Sequence, residues 1–252
     1  MFDYQALLQS YPYRTDLHVH TFPVSGCSYV TAAETVRLYR DAGCDAIVIT
    51  NHLNPHWSHG NPCDLADRYL SDYEVAKKVA GNDINVILGV EMRFPENSND
   101  YLVYGVSPED IEYFVTLVPH GIENFYKKAK TDRNVILQAH PFRKEMVLAP
   151  RNAVDGIEVF NMHVRHNSAV ARAASYAREN KTLVCGGSDF HQKGDEALCL
   201  VRTEDKLRDS YDVAEMIQSK NFLFDLSGTL ILPYQNRKEY NYHGKNISVE
   251  YQ

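Results

Sequence analysis

Four short apolar runs, each closing on polar, chemistry-bearing residues, constrain this chain more than any other feature. Ala46–Thr50 ends in Asn51-His52, and Val86–Val90 runs into Glu91. Val135–Ala139 runs into His140-Pro141, and Thr182–Gly187 leads into Ser188-Asp189-Phe190-His191. Short β-branched runs without polar alternation read as strands buried on both faces, the signature of a parallel sheet covered by helices. The intervening segments carry helical spacing: Thr31 to Ala42, with Thr31 and Glu34 as a capping box, Asp64 to Ala80, Asn167 to Glu179, and Ser210 to Gln218. Strand–helix alternation predicts an α/β fold of βαβ units with a mostly parallel sheet. In such folds the carboxyl ends of the strands carry the chemistry.

A fifth strand-like segment, Arg14–His20, precedes these runs. Period-two alternation predicts Asp16, His18 and His20 on one face, with Leu17 and Val19 on the other. Two imidazoles at this spacing can grip one divalent metal ion. Taken alone, the segment also fits a strand with two surface histidines. The recurrence of histidines and acids at the other strand ends turns the reading towards a metal centre.

At 252 residues, with 44% hydrophobic and 23% charged residues, the chain suits one enzyme-sized domain. The formal charge, 26 − 33 = −7, and the lack of a basic stripe argue against a nucleic-acid surface. No run approaches the ~20 apolar residues of a membrane span, and no signal pattern opens the chain. Cys27, Cys44, Cys63, Cys185 and Cys199 form an odd set without a C-x-x-C pair, as expected of reduced thiols in a cytoplasmic protein. Cys44 and Cys185 read as core residues; Cys27, near the His-x-His segment, reads as structural before it reads as a ligand.

Other histidines are less informative. The loop Asn54–Pro62 holds the only Trp, with His56 and His59, and could lie over a site, although solvent-exposed loop polars are the commoner outcome. His163 and His166, after the run Gly156–Asn161, read as loop or helix-cap residues. His120 and His243 receive a structural reading. The residues from about Pro233 read as an irregular tail or edge hairpin.

The ordered set Asp16-x-His18-x-His20-Thr21, Thr50-Asn51-His52, Glu91, His140-Pro141 and Ser188-Asp189-x-His191 resembles the polymerase and histidinol phosphatase (PHP) family of metal-dependent phosphoesterases. The resemblance implies a distorted (β/α)7 barrel over residues 1–232, with 233–252 as a tail on the same domain. It implies two divalent ions and in some members a third, taken from Zn, Mn or Fe. His18, His20, Glu91 and Asp189 would hold the first ion. Glu91 would bridge to a second held by His140, and His52 and His191 would serve a third.

Three positions depart from the family pattern. Asn51 stands where an acid is usual, removing a charge that would orient His52. Gly26 stands where a loop acid or histidine is common, so a third ion should be weak or missing. Asp100 stands where relatives place a histidine, and offers an oxygen ligand instead.

The activity implied is hydrolysis of a small phosphomonoester (a nucleotide, a sugar phosphate or a histidinol-phosphate-like compound) by a hydroxide held on the metals. Where no third ion claims it, His191 would protonate the leaving oxygen, and Arg143, or else Arg93, would clamp a phosphate oxygen. The partner is then a small phosphorylated substrate, not a membrane or nucleic acid. A metal-dependent amidohydrolase, or a metal-binding module without catalysis, stays open as an alternative.

Overall fold

The computed structural model describes residues 4–54, 61–233, 238–242 and 245–249. The chain opens with α1 (Tyr4–Ser10) and β1 (Tyr13–Val19), then α2 (Ala32–Asp41), β2 (Ala46–Ile49) and β3 (His52–Leu53). Next come α3 (Pro62–Ala80), β4 (Asn85–Leu88), β5 (Val90–Arg93) and β6 (Asp100–Tyr104). After α4 (Pro108–Leu117) and α5 (Gly121–Ala129) run β7 (Val135–Gln138), β8 (Gly156–Asn161), α6 (Val170–Asn180) and β9 (Leu183–Gly187). The chain continues through β10 (Leu200–Thr203), α7 (Ser210–Ser219), β11 (Leu223–Leu226), β12 (Thr229–Ile231), β13 (Lys238–Tyr242) and β14 (Lys245–Val249).

This is an α/β fold with two mixed six-stranded sheets, ordered β12-β11-β10-β1-β2-β4 and β3-β5-β6-β7-β8-β9. The mostly parallel sheet expected above is corrected at β6, which runs antiparallel to both β5 and β7. The reason is reach: the short turn after Arg93 reverses the chain, whereas a parallel return needs a crossover of a dozen or more residues. β10, β11 and β12 add further antiparallel strands beside β1. Among the described residues, β13 and β14 pair with each other in a separate two-stranded sheet.

The two large sheets share chain. β2 continues into β3 across Thr50-Asn51, and β4 into β5 across Gly89. At the other side, His20 N donates to Phe190 O (3.0 Å) and Phe190 N to His18 O (3.2 Å), tying the end of β9 to β1. Gly187 makes this approach possible: a Cβ there would lie 2.4 Å from His18 Cβ. One apolar cluster joins Ile47, Ile49 and Leu88 to α2, α3, α4 and α5, and a second joins Leu17, Val48, Leu137 and Val159 to α6 and α7. The strands are therefore buried on both faces, as their unbroken apolar runs require.

The helix ends follow local chemistry. The Thr31 hydroxyl accepts from Glu34 N at 3.4 Å at the start of α2. Asn61 caps α3 through Cys63 N, with Pro62 at the first helical position, slightly ahead of the expected start at Asp64. Among the described residues, no helix is long and apolar enough to cross a membrane.

Candidate metal centre

His18, on β1, and His20, one residue past its end, bring their Nε2 atoms to 3.0 Å from each other. Each ring is fixed from its far side. His18 Nδ1 donates to Glu158 Oε1 at 2.8 Å, and His20 Nδ1 lies 3.0 Å from Ser25 Oγ. Because a carboxylate only accepts, Glu158 leaves the lone pair of neutral His18 on Nε2, aimed at His20. Two such nitrogens face each other comfortably only around a proton or a cation.

Two carboxylates close the space around them. Glu91 Oε1 lies 3.3 Å from His18 Nε2 and 3.2 Å from His140 Nε2. Its Oε2 lies 3.2 Å from His20 Nε2 and 2.9 Å from His52 Nδ1. Asp189 Oδ1 lies 3.4 Å from His18 Nε2 and 3.3 Å from His20 Nε2. Both acids are buried, and Glu91 Oε2 accepts no hydrogen bond despite these approaches. Buried carboxylates converging with imidazoles are the donor set of a divalent-metal site, so the residues present fit the implied ions. His18, His20 and Asp189 each offer a ligand atom within 4.8 Å of the others, and so do His52, Glu91 and Asp100.

Backbone geometry helps to aim the ligands. His140 and Asp189 follow β7 and β9 with φ of 30° and 53°, the left-handed region that side chains other than glycine seldom adopt. The turn directs both side chains back across the strand ends. His140 N is held by Glu158 Oε2 at 2.9 Å, and Asn161 Nδ2 donates to the same oxygen at 2.9 Å. Glu158 thus supports two proposed ligands from beneath.

The electrostatics follow from this crowding. Burial opposes charge on His18, but Asp189, Glu158 and Glu91 together outweigh it and hold the imidazole well above its usual range. Burial likewise opposes charge on His52, and Glu91 overrides it upward. Glu91 and Asp189 are both pulled well below the carboxylate range, against burial, chiefly by His18. In His191, burial and the neighbouring His20 push the imidazole down to about 3.

Other residues singled out from the sequence are placed as follows. Asp100 lies 3.8 Å from His140 Nε2 but is clasped by Arg93, whose Nε and Nη2 donate at 2.7 and 2.6 Å. Arg143 Nη2 donates to Asp189 Oδ2 and to Asn161 Oδ1, each at 2.8 Å, so Arg143 forms a wall of the centre. His191 Nδ1 donates to Asp189 O at 2.8 Å, which leaves Nε2 as the free ligand atom of a neutral ring. His56, His59, Trp57 and His243 lie outside the described residues.

Two expectations are corrected. Asp16 does not share the face of His18 and His20: it accepts from Tyr39 OH (2.7 Å), His18 N (3.1 Å) and Ser188 N (3.0 Å). The register of β1 against β2 shifts between Asp16 and Val19, which breaks the period-two alternation. Leu17 and Val19 accordingly pack into different apolar clusters. Nor does Asn51 occupy the place of an acid that orients His52. Asn51 Oδ1 accepts from Thr21 N and its Nδ2 donates to Thr21 Oγ1, both at 2.8 Å. His52 is instead positioned by Glu91 and by Ser25 Oγ, which accepts from its backbone N at 2.9 Å.

Sequence reading passed over Glu158 and Asn161, and took His163 as a loop or helix-cap residue. The signal for Glu158 was present: a charged residue inside the apolar run Gly156-Ile157-Glu158-Val159-Phe160. His163 is buried and shares a potential ligand group with Asp189 and His191, so it borders the centre rather than simply capping a helix.

The chain belongs to the PHP domain family, whose model matches residues 16–227. Comparison with curated protein sequences finds no match. Among solved structures, PsfC from Pseudomonas syringae superposes with a TM-score of 0.57 at 16% identity, over 80% of this chain and 87% of that one. A two-domain protein from Bacteroides vulgatus, containing a predicted PHP-like metal-dependent phosphoesterase, gives 0.56 at 19% identity, over 84% of this chain and 64% of that one. An amidohydrolase from Chromobacterium violaceum, solved with bound sulfate and no metal, gives 0.52 at 14% identity, over 72% and 89%. At these identities the likeness is one of fold.

Proposed function

We propose that this chain is a metal-dependent phosphoesterase that hydrolyses a small phosphomonoester. The observation that carries the reading is the meeting of His18 and His20 Nε2 at 3.0 Å against buried Glu91 and Asp189. His18, His20, Glu91 and Asp189 would hold one divalent ion, and Glu91 and His140 a second, with Asp100 at its edge. Bound there, the ions would acidify a water and neutralise phosphoryl oxygens.

The protein's own groups supply the rest. Glu158 and Ser25 fix the two leading imidazoles, so no reorganisation is required when substrate arrives. Arg143 is already steered by Asp189 and Asn161, and its Nε is buried without a hydrogen-bond partner. A guanidinium held this way can orient a phosphate oxygen as water adds to phosphorus and the ester oxygen departs. His191 is better suited to hold a cation than to protonate the leaving group, because its Nδ1 proton is committed to Asp189 O.

The scaffold reading is a distorted seven-stranded barrel. In this reading β1, β2 running into β3, β4 running into β5, β6, β7, β8 and β9 would close into a ring; the chain shared by the two sheets and the hydrogen bonds between Phe190 and β1 support it. Residues 1–232 are taken as this one domain and 233–252 as its tail. The test is phosphate release from a panel of phosphomonoesters by protein loaded with Zn, Mn or Fe. Release that disappears on chelation and returns with metal is the expected result. Turnover of amides or lactones without any phosphoester would favour the amidohydrolase alternative.

A further inference from the structure

The loop after β1 brings a thiol to the outer side of the centre. Cys27 Sγ lies 3.2 Å from His191 Nε2. His20, His52 and His191 each offer a ring nitrogen within 4.8 Å of the others, and the His20 ring centroid is 4.6 Å from that of His52 and 4.4 Å from that of His191. Below them stands Glu91 Oε2, buried, without a hydrogen bond and 2.9 Å from His52 Nδ1. The neighbouring position, Gly26, contributes nothing: a Cβ built there meets no atom within 4 Å.

The loop is fixed in this pose. Ser25 N donates to Thr21 O (2.9 Å), Ser28 N to Ser25 O (3.0 Å) and Tyr29 N to His191 O (2.8 Å). The last of these bonds ties the loop that carries Cys27 to the residue its thiol faces.

The geometry points to a third cation site built by Cys27, His52 and His191, selective for zinc-like ions over manganese because one ligand is a thiolate. It rests on the two-ion reading above. Sulfur with two imidazoles is a borderline-soft set, and Glu91 Oε2 or a water completes four-coordination. Manganese and magnesium prefer oxygen, so they fill this position poorly. The absence of an acid at Gly26 therefore changes the kind of ion held and does not abolish the site.

Metal content per chain and the absorption of the cobalt(II)-substituted protein test this. Wild-type protein should carry one more zinc than Cys27→Ala, and His52→Ala should lose the same ion. Cobalt-loaded wild type should show a thiolate-to-cobalt charge-transfer band in the near ultraviolet, absent in Cys27→Ala. Cys27→Asp should retain three ions, lose that band and accept manganese more readily. Equal zinc content in wild type and Cys27→Ala, with no charge-transfer band, overturns the proposal. Phosphoester hydrolysis is read separately: its absence with the band present sinks the phosphoesterase reading and leaves the thiolate site standing.

Discussion

The inner and outer sides of the centre are built by different means. On the inner side His18, His20 and Asp189 are buried, and each is braced by another buried group: Glu158, Ser25 and Asn161 respectively. On the outer side His52 keeps 20% of its side chain exposed and Cys27 stands on an exposed loop position. The inner side is held by strands and by carboxylates that cannot move without opening the core. The outer side is held by a loop and by its own ligands. Rigidity and affinity should divide along the same line.

The largest effect should come from breaking the inner side. His18→Ala and Asp189→Ala should each lose the inner ions and reduce hydrolysis on the order of 10³-fold or more, several kcal/mol of transition-state stabilisation. Metal analysis and kcat/KM check this, and full metal retention in both folded variants would refute the ligand assignment.

A smaller loss should follow Glu158→Gln, which keeps the volume but weakens the hold on His18 Nδ1 and His140 N. Outer-sphere partners of this kind are worth ~10–100-fold in metal affinity or activity. Isothermal metal titration measures it. Unchanged affinity would show that β8 only fills space beneath the centre.

Stability against pH sharpens the comparison further. The folded-state values of His18 and His52 lie above their ordinary one. Their contribution is therefore fully present below about pH 6.5 and is lost as pH rises through the folded values. Glu91 and Asp189 lie below theirs, so their contribution holds above the ordinary carboxylate range and is lost as pH falls through the folded values. Metal-free protein should thus soften towards alkaline pH, whereas loaded protein should not, because metal replaces the protons. Thermal midpoints of both forms across pH read this out, and parallel curves would contradict it.

The smallest effect on chemistry should come from Asn51→Asp. Asp72 Oδ2 already accepts from Thr21 Oγ1 at 2.8 Å, so a carboxylate at 51 would place a second acid around one hydroxyl. A cost of ~1–3 kcal/mol in stability is expected, with hydrolysis similar to wild type. A large gain in activity would restore the view that position 51 orients His52.

Much of the frame was legible along the chain. The apolar runs before His52, Glu91, His140 and Asp189 became β2, β4, β7 and β9, because buried parallel strands need no alternation. The antiparallel β6 and the strands β10 to β12 were not legible, since short apolar runs do not announce their direction. α4 and α5 lie in a stretch where the same apolar character suits a helix or a strand, and packing decided between them.

By itself the sequence determined the ligand chemistry and its order: imidazoles and carboxylates at successive strand ends, legible because strand period and run length are local properties. Only the tertiary structure decided which of them meet. The irregular register of β1 turned Asp16 away to Tyr39, the left-handed backbone at His140 and Asp189 aimed those side chains across the strand ends, and the loop after β1 set Cys27, not Gly26, against His191. Glu158 became a support for His18 through a contact spanning most of the chain. Such pairings depend on the closing of strands distant in sequence, which no local pattern encodes.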